Sequence, residues 1–264
     1  MKQYRKLCLL VCDVARDAGQ FIREELPLLS RSDVQSKGLH SYVTYVDTNA
    51  EKRIVKALQE LLPEAGFIVE EESIQKKGGA YQWVVDPLDG TTNFIHGLPC
   101  FSVSIALMRG QEVVLGVVYE VMRNECFYAW KGGGAYLNDD VIRVSEVTKL
   151  SGSLLATGFP YHDYSLLDKY MELFTWCLRN SHGVRRIGSA AVDLAYVACG
   201  RFEGFFEYGL NAWDVAAGSL IVGEAGGKVT DFKGSDRFVF GKEILATNAG
   251  IYTELHHKVK ELFH

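Results

Sequence analysis

The stretch from Trp83 to Phe94 constrains this chain more than any other. Trp83-Val84-Val85 is an apolar, largely β-branched run, the pattern of a strand buried on both faces. Pro87 cannot donate to a sheet ladder and is expected to stop that strand. Asp86 and Asp89 flank the stop, and Gly90-Thr91-Thr92 follows at once. Such a segment has two readings. One is a turn and a helix N-cap. The other is a hard-cation site beside a phosphate cradle. Carboxylate oxygens suit Mg²⁺ or Mn²⁺, and the N–H groups of Gly90 and Thr91, opening a helix, suit a phosphate.

Other acids stand at comparable places. A short strand over 42–46 is expected to run into Asp47, with Thr48 and Glu51 as a capping box for the helix that follows. Residues 66–69 read as a short buried strand that delivers Glu70, Glu71 and Glu72. Asp214 is expected to open a helix closed by Gly226-Gly227. A run of acids is ordinarily a solvated face, but acids converging at the ends of buried strands are costly unless a cation sits among them. Phosphate ester hydrolysis needs positioning and charge neutralisation above all. Two Mg²⁺ ions about 3.5–4 Å apart can clamp the attacking and leaving oxygens. Asp86 and Asp89 lie around one turn, so both can face one ion, and the carbonyl of Leu88 between them can point there too.

The remaining pattern divides in two. An amphipathic helix over 4–26 ends at Pro27, the stretch 30–42 is irregular, and a second helix ends before Pro63. Strands at 101–108, 113–121 and 125–130, separated by Arg109-Gly110 and by 122–124, form an antiparallel meander. Gly132-Gly133-Gly134 lacks the Lys-Ser/Thr of a P-loop and reads as a turn. The second half alternates. Strands are expected at 154–157, 184–187, 202–207, 228–232 and 244–246. Helices are expected at 165–179, from the Ser189 cap to Gly200, from Asp214, and at 251–263. The weakest seam, at 145–151, gives one domain of two lobes, about 1–148 and 149–264.

Composition narrows the function. Net charge is −5, from 28 basic and 33 acidic residues, which provides no footprint for nucleic acid and no polybasic membrane patch. No apolar run reaches the roughly 18 residues of a membrane span. The six cysteines form no CxxC pair and the N-terminus lacks a signal peptide, so a cytoplasmic protein with reduced thiols is expected. Two phosphatase chemistries fail on spacing. The aspartyl-phosphate type needs Asp-x-Asp-Gly-Thr, and the thiol type needs a Cys followed six positions later by Arg; neither is present. Trp213 reads as core, and His96 is assigned no role.

Asp86-Pro87-Leu88-Asp89-Gly90-Thr91-Thr92-Asn93-Phe94 resembles the first signature of the inositol monophosphatase family. Trp213-Asp214-Val215-Ala216-Ala217-Gly218, followed by Glu224-Ala225-Gly226-Gly227, resembles its second, and Gly116-Val117-Val118-Tyr119 and Lys131-Gly132-Gly133-Gly134-Ala135-Tyr136 are lesser echoes. The resemblance implies a layered αβαβα sandwich of the sugar-phosphatase type, an α+β or α/β fold, and a homodimer. It implies a lithium-sensitive phosphoric monoester hydrolase with two or three Mg²⁺ ions, Mn²⁺ being able to substitute. The substrate would be a small polyol phosphate, inositol monophosphate above all, attacked directly by metal-activated water. Histidinol phosphate, fructose 1,6-bisphosphate and 3′-phosphoadenosine 5′-phosphate are alternative substrates within the superfamily. A non-catalytic metal-binding regulatory protein is the alternative from another class.

By the same resemblance, one ion is held by Glu71, Asp86 and the Leu88 carbonyl, and a second by Asp86, Asp89 and Asp214. Glu71 and Thr91 would activate the water, with Asp47 assisting through the Thr91 hydroxyl. Asp89, Gly90, Thr91, Gly188, Ser189, Ala190, Glu207 and Asp214 would bind substrate, Glu207 meeting its hydroxyls. The family shows two Glu before a Ser where this chain has three before Ser73. Counting back selects Glu71, with Glu70 as the alternative. Ser41 stands where the family often has Asp or Asn, which weakens the expected support near Lys37.

Overall fold

The computed structural model describes residues 2–30, 33–38, 41–72, 74, 78–160 and 163–264. The side chains of Lys37 and Ser41, and the whole of Ser73, lie outside the described part.

α1 (Lys2–Glu25) places Cys8, Val11, Cys12, Ala15, Ala18 and Ile22 on one buried face and ends where Pro27 enters a 3₁₀ turn. β1 (Gln35–Gly38) and β2 (Ser41–Val43) pair as an antiparallel ribbon in the stretch expected to be irregular. α2 (Tyr45–Leu61) starts earlier than expected. Its N-cap is Thr44, and Asp47 at the third helical position completes the capping box, so Asp47 lies inside a helix rather than at a strand end.

A seven-stranded sheet follows. It contains β3 (Gly66–Val69), β4 (Tyr81–Asp89), β5 (Ser102–Arg109), β6 (Glu112–Glu120), β7 (Glu125–Trp130), β8 (Ala135–Leu137) and β9 (Asp140–Ile142), in that order across the sheet. β3 and β4 are parallel and every later pair is antiparallel. α3 (Thr91–Ile95) sits between β4 and β5. β4 does not stop at Pro87. It runs through it on a bulge: Asp86 pairs with Ser104 and Asp89 with Ser102, so four residues face three. A proline is tolerated at a bulge because its missing N–H breaks no regular ladder bond.

The second sheet holds β10 (Leu154–Thr157), β11 (Gly183–Arg185), β12 (Gly204–Tyr208), β13 (Lys228–Thr230) and β14 (Glu243–Thr247) in the order β11-β10-β12-β14-β13. The helices of this half are α4 (Leu167–Asn180), α5 (Ala190–Ala198), α6 (Ala212–Glu224) and α7 (Tyr252–Phe263).

Three apolar clusters stack these elements. α1 and α2 pack on one face of the first sheet through Trp83, Val85, Ile105 and Val117. Val84, Ala106 and Val118 point the other way, against α5 and α6, which also cover the second sheet through Ala156, Phe205 and Ala246. α4 and α7 close the far face on Leu155, Phe206 and Leu245. Alternate residues of β4 thus serve opposite layers, as the period of a strand requires. The result is the expected αβαβα sandwich. α6 comes very close to β6: a Cβ on Gly116 would lie 2.7 Å from the Ala217 carbonyl oxygen. No helix among the described residues is long and apolar enough to cross a membrane.

Candidate active site

The bulge in β4 sets up the site. Residues separated by three positions on a regular strand face opposite sides of the sheet. The extra residue at Pro87 cancels that alternation and turns Asp86 and Asp89 toward one another. α6 supplies the third acid. Asp86, Asp89 and Asp214 each offer an oxygen, all within 4.8 Å of one another. Asp214 is not the cap of α6. Asn211 is the N-cap, and its amide donates to Asp214 Oδ2 at 2.7 Å. Asp89 Oδ2 accepts from Ser189 Oγ at 2.6 Å and from the Ala191 amide at 2.8 Å, which fastens β4 to the start of α5.

Crowding of these carboxyls in a buried place disfavours their charge. Burial pushes Asp86 well above the usual carboxylate range, with Glu70, Asp89 and Asp214 adding to the effect. Burial and then the nearby Asp89 raise Asp214 to about 7. Asp89 is raised by burial, against hydrogen bonds from Ser189 and Ala191 that favour its anion. An oxygen-only donor set of this kind fits a hard divalent cation, whose charge would allow all three to ionise.

Thr91 stands beside this group. Gly90, at φ 97°, makes the left-handed turn from β4 into α3. Just past it, Thr91 Oγ1 lies 3.0 Å from Asp47 Oδ1 and 3.0 Å from the Leu88 carbonyl oxygen. Asp47 is fully buried. Its Oδ2 accepts from the Thr44 amide at 2.8 Å and from the Thr44 hydroxyl at 2.6 Å.

The glutamate run is placed differently from the expectation. Glu70, not Glu71, lines the cavity and meets the carboxyl of Asp86. The Glu70 amide donates to Val85 O at 3.3 Å, continuing the pairing of β3 with β4. The next amide, that of Glu71, donates to Glu51 Oε2 at 2.8 Å. Glu71 is absent from the described cavity wall. The parallel ladder decides this: the first residue after β3 is still held beside Asp86, and the chain turns away after it.

The cavity, about 180 Å³, extends from these acids toward the second sheet. Gly90, Thr91, Gly188, Ser189, Ala190 and Glu207, all anticipated, are in its wall. Asn93 Nδ2 donates to Cys100 O at 2.8 Å and to Ile187 O at 2.9 Å, tying the turn after β4 to the Gly188 segment. Glu207, on β12, is nearly fully buried, and burial drives its carboxyl well up, with Asp214 adding to the effect. Gly158 makes room for it, since a Cβ there would lie 2.0 Å from Glu207 Cδ. Arg186, Phe159 and Asp193 were not anticipated. The Arg186 guanidinium lies 5.5 Å from the Phe159 ring centroid. Asp193 carried a usable signal: it is the one charged residue in α5, which is otherwise Ala, Val, Leu and Tyr and buried throughout.

The pattern of the inositol monophosphatase family matches residues 4–263. The chain belongs to the inositol monophosphatase family. It is 41% identical over 244 residues to an inositol-1-monophosphatase of Rhizobium meliloti, covering 92% of each chain. It is 44% identical over 246 residues to the Nus factor SuhB of Pseudomonas aeruginosa, covering 91% of each. The crystal structure of the extragenic suppressor protein SuhB from Bartonella henselae superposes with a TM-score of 0.89 at 40% identity, over 96% of this chain and 97% of that one. The inositol monophosphatase fold therefore holds over nearly the whole length, and family membership supports a phosphatase.

Proposed function

We propose that the protein is a Mg²⁺-dependent phosphoric monoester hydrolase acting on a small polyol phosphate, inositol monophosphate above all. The observation that carries this reading is the meeting of Asp86, Asp89 and Asp214 within 4.8 Å beside the hydrogen-bonded pair of Thr91 and Asp47. Mg²⁺ bound there lowers the pKa of water and offsets charge on the phosphoryl oxygens.

The residues divide the remaining work. Asp86, Asp89, Asp214, the Leu88 carbonyl and a glutamate are the ligands, and the placement of Glu70 against Asp86 supports Glu70 over Glu71 in that role. Thr91, held by Asp47, orients the attacking water together with that glutamate. The amides of Gly90 and Thr91 receive the phosphate. Glu207, with Gly188, Ser189 and Ala190, holds the leaving alcohol. The chain works as one domain of two lobes, about 1–148 and 149–264, because acids from both are needed. Two or three Mg²⁺ ions with Mn²⁺ as substitute, lithium sensitivity, a homodimer and a cytoplasmic location complete this reading.

Phosphate release from a panel of esters, with and without EDTA, tests it. Inositol 1-phosphate is expected to lead histidinol phosphate, fructose 1,6-bisphosphate and 3′-phosphoadenosine 5′-phosphate, and EDTA to abolish turnover. A second reading, a non-catalytic Nus-factor role, is favoured by the name of the Pseudomonas aeruginosa relative at 44% identity. A folded, Mg²⁺-loaded protein that releases no phosphate from any ester would favour that role.

A further inference from the structure

Asp193 is 1% exposed, yet its Oδ1 meets no hydrogen-bond partner. The helix itself does not call for a carboxylate here. Ser189 caps α5, and the Asp193 amide is already bonded to the Ser189 carbonyl at 2.9 Å. The remaining residues of the helix pack as apolar core. A buried polar atom without a partner costs stability, and one in the wall of a cavity has its partner supplied by whatever fills the cavity.

The surroundings define that partner. Asp193 lines the same cavity as Glu207, Arg186 and Asp214. Burial disfavours its anion most, the charges of Glu207 and Asp89 add to that, and Arg186 favours it. Two carboxyls in one wall repel an anionic group. The Arg186 guanidinium disfavours an ammonium. A neutral group that donates hydrogen bonds satisfies both conditions, and an alcohol hydroxyl is the simplest such group.

We propose that Asp193 is a specificity-determining contact: its carboxyl accepts a hydrogen bond from a hydroxyl of the leaving alcohol, beside the second acceptor Glu207, so that the site favours a leaving group rich in hydroxyls over one with none. This rests on the phosphatase reading above. A site built to bond a substrate hydroxyl rejects an analogue that lacks it, because the buried acceptor is then left unpaired.

The test compares Asp193→Asn and Asp193→Leu with the wild-type protein on inositol 1-phosphate and on p-nitrophenyl phosphate, both in Mg²⁺. The readout is the ratio of the two kcat/KM values, which is independent of the fraction of correctly folded protein. The ratio is expected to fall about tenfold or more in the Leu variant, mostly through KM for the inositol ester, with a smaller fall in the Asn variant. A ratio within twofold of wild type in both variants overturns the assignment of Asp193 while leaving the phosphatase reading intact. A wild-type protein that hydrolyses neither ester overturns that reading, and the assignment with it.

Discussion

The hydroxyl of Thr91 lies 3.0 Å from Oδ1 of Asp47, joining the turn after β4 to the first turn of α2. The other oxygen of the same carboxylate completes the capping box with Thr44. One buried side chain therefore starts a helix and orients a hydroxyl beside the acidic cluster. Asp47→Asn keeps one acceptor oxygen but turns an amide donor toward either Thr44 or Thr91. Turnover is expected to fall about a hundredfold, the scale of a lost acid–base contact, with KM little changed. Thr91→Ala should cost a similar factor, and the double variant should cost much less than the product, since the two act as one unit. Steady-state kinetics of the four proteins in a double-mutant cycle would check this; multiplicative losses would separate the two residues.

Glu70→Gln and Glu71→Gln distinguish the two candidate ligands. Glu70 is the residue placed against Asp86. Its substitution should raise the Mg²⁺ concentration needed for half-maximal turnover about tenfold or more, the scale on which groups around a metal act. Glu71→Gln should leave that concentration within about twofold of wild type. The reverse order would restore the assignment obtained by counting back from Ser73.

Much of this arrangement was legible in the sequence. β3 and β10 fall at 66–69 and 154–157 as the apolar runs indicate, and the meander follows its turns. What escaped has identifiable causes. Two overlapping cap patterns, Thr44 with Asp47 and Thr48 with Glu51, compete for the start of α2. Packing decides between them, because Val46, Ala50 and Ile54 must face the core. Pro87 breaks a regular strand but not a bulged one, and a bulge depends on the partner strand, which no local window contains. β1, β2, β8 and β9 are three or four residues long, too short to show a period. The convergence of Asp214 on Asp86 and Asp89 depends on how α6 crosses the first sheet. The motifs alone carried that expectation.

Gly158→Ala tests the leaving-group end of the cavity without touching a charge. The new Cβ would lie 2.0 Å from Glu207 Cδ. That carboxyl is the free end of a side chain, so it would swing aside and the backbone would hold. kcat/KM for an inositol phosphate should fall about tenfold, the value of one charge-assisted hydrogen bond. Hydrolysis of p-nitrophenyl phosphate and the melting temperature should change little. Equal losses on both esters would move Glu207 out of the leaving-group contact.

Stability against pH should depend on metal. Burial raises Asp86, Asp89 and Asp214 above the roughly 3.9 of an unfolded aspartate, and repulsion from neighbouring carboxyls adds to the rise of Asp86 and Asp214. The native chain then binds more protons than the unfolded chain in the interval between those values. The metal-free protein is most stabilised by these groups below about pH 4. It loses that contribution as pH rises through the native values, about 7 for Asp214. Melting of the metal-free protein should therefore occur at a lower temperature at pH 8 than at pH 5.5. Saturating Mg²⁺ should recover more of that stability at pH 8 than at pH 5.5. A metal-free melting temperature that climbs from pH 5.5 to 8 would contradict the raised values.

Asp214→Asn asks whether the second half of the chain belongs to the site. Asp214 holds the third position of α6, where its Oδ2 accepts from the Asn211 amide at 2.7 Å. An asparagine there can still accept that bond through its own oxygen, so the start of the helix is preserved. What is lost is one negative charge, within 4.8 Å of oxygens of Asp86 and Asp89. Two effects follow with opposite signs. Without metal, removing one of three crowded carboxyls relieves repulsion and should raise the melting temperature, most clearly near pH 8 where the wild-type group is ionised. With metal, one anionic ligand is missing. The Mg²⁺ requirement should rise, and turnover should fall about a hundredfold or more, the usual cost of losing such stabilisation of the transition state. Turnover against Mg²⁺ concentration, with melting curves at both pH values, separates these outcomes. A more stable protein with depressed turnover identifies Asp214 as a ligand held in place at the expense of stability. A well-folded variant with wild-type kcat and unchanged Mg²⁺ dependence would leave Asp214 only as the capping-box partner of Asn211, and the first half of the chain would have to bind the metal without it.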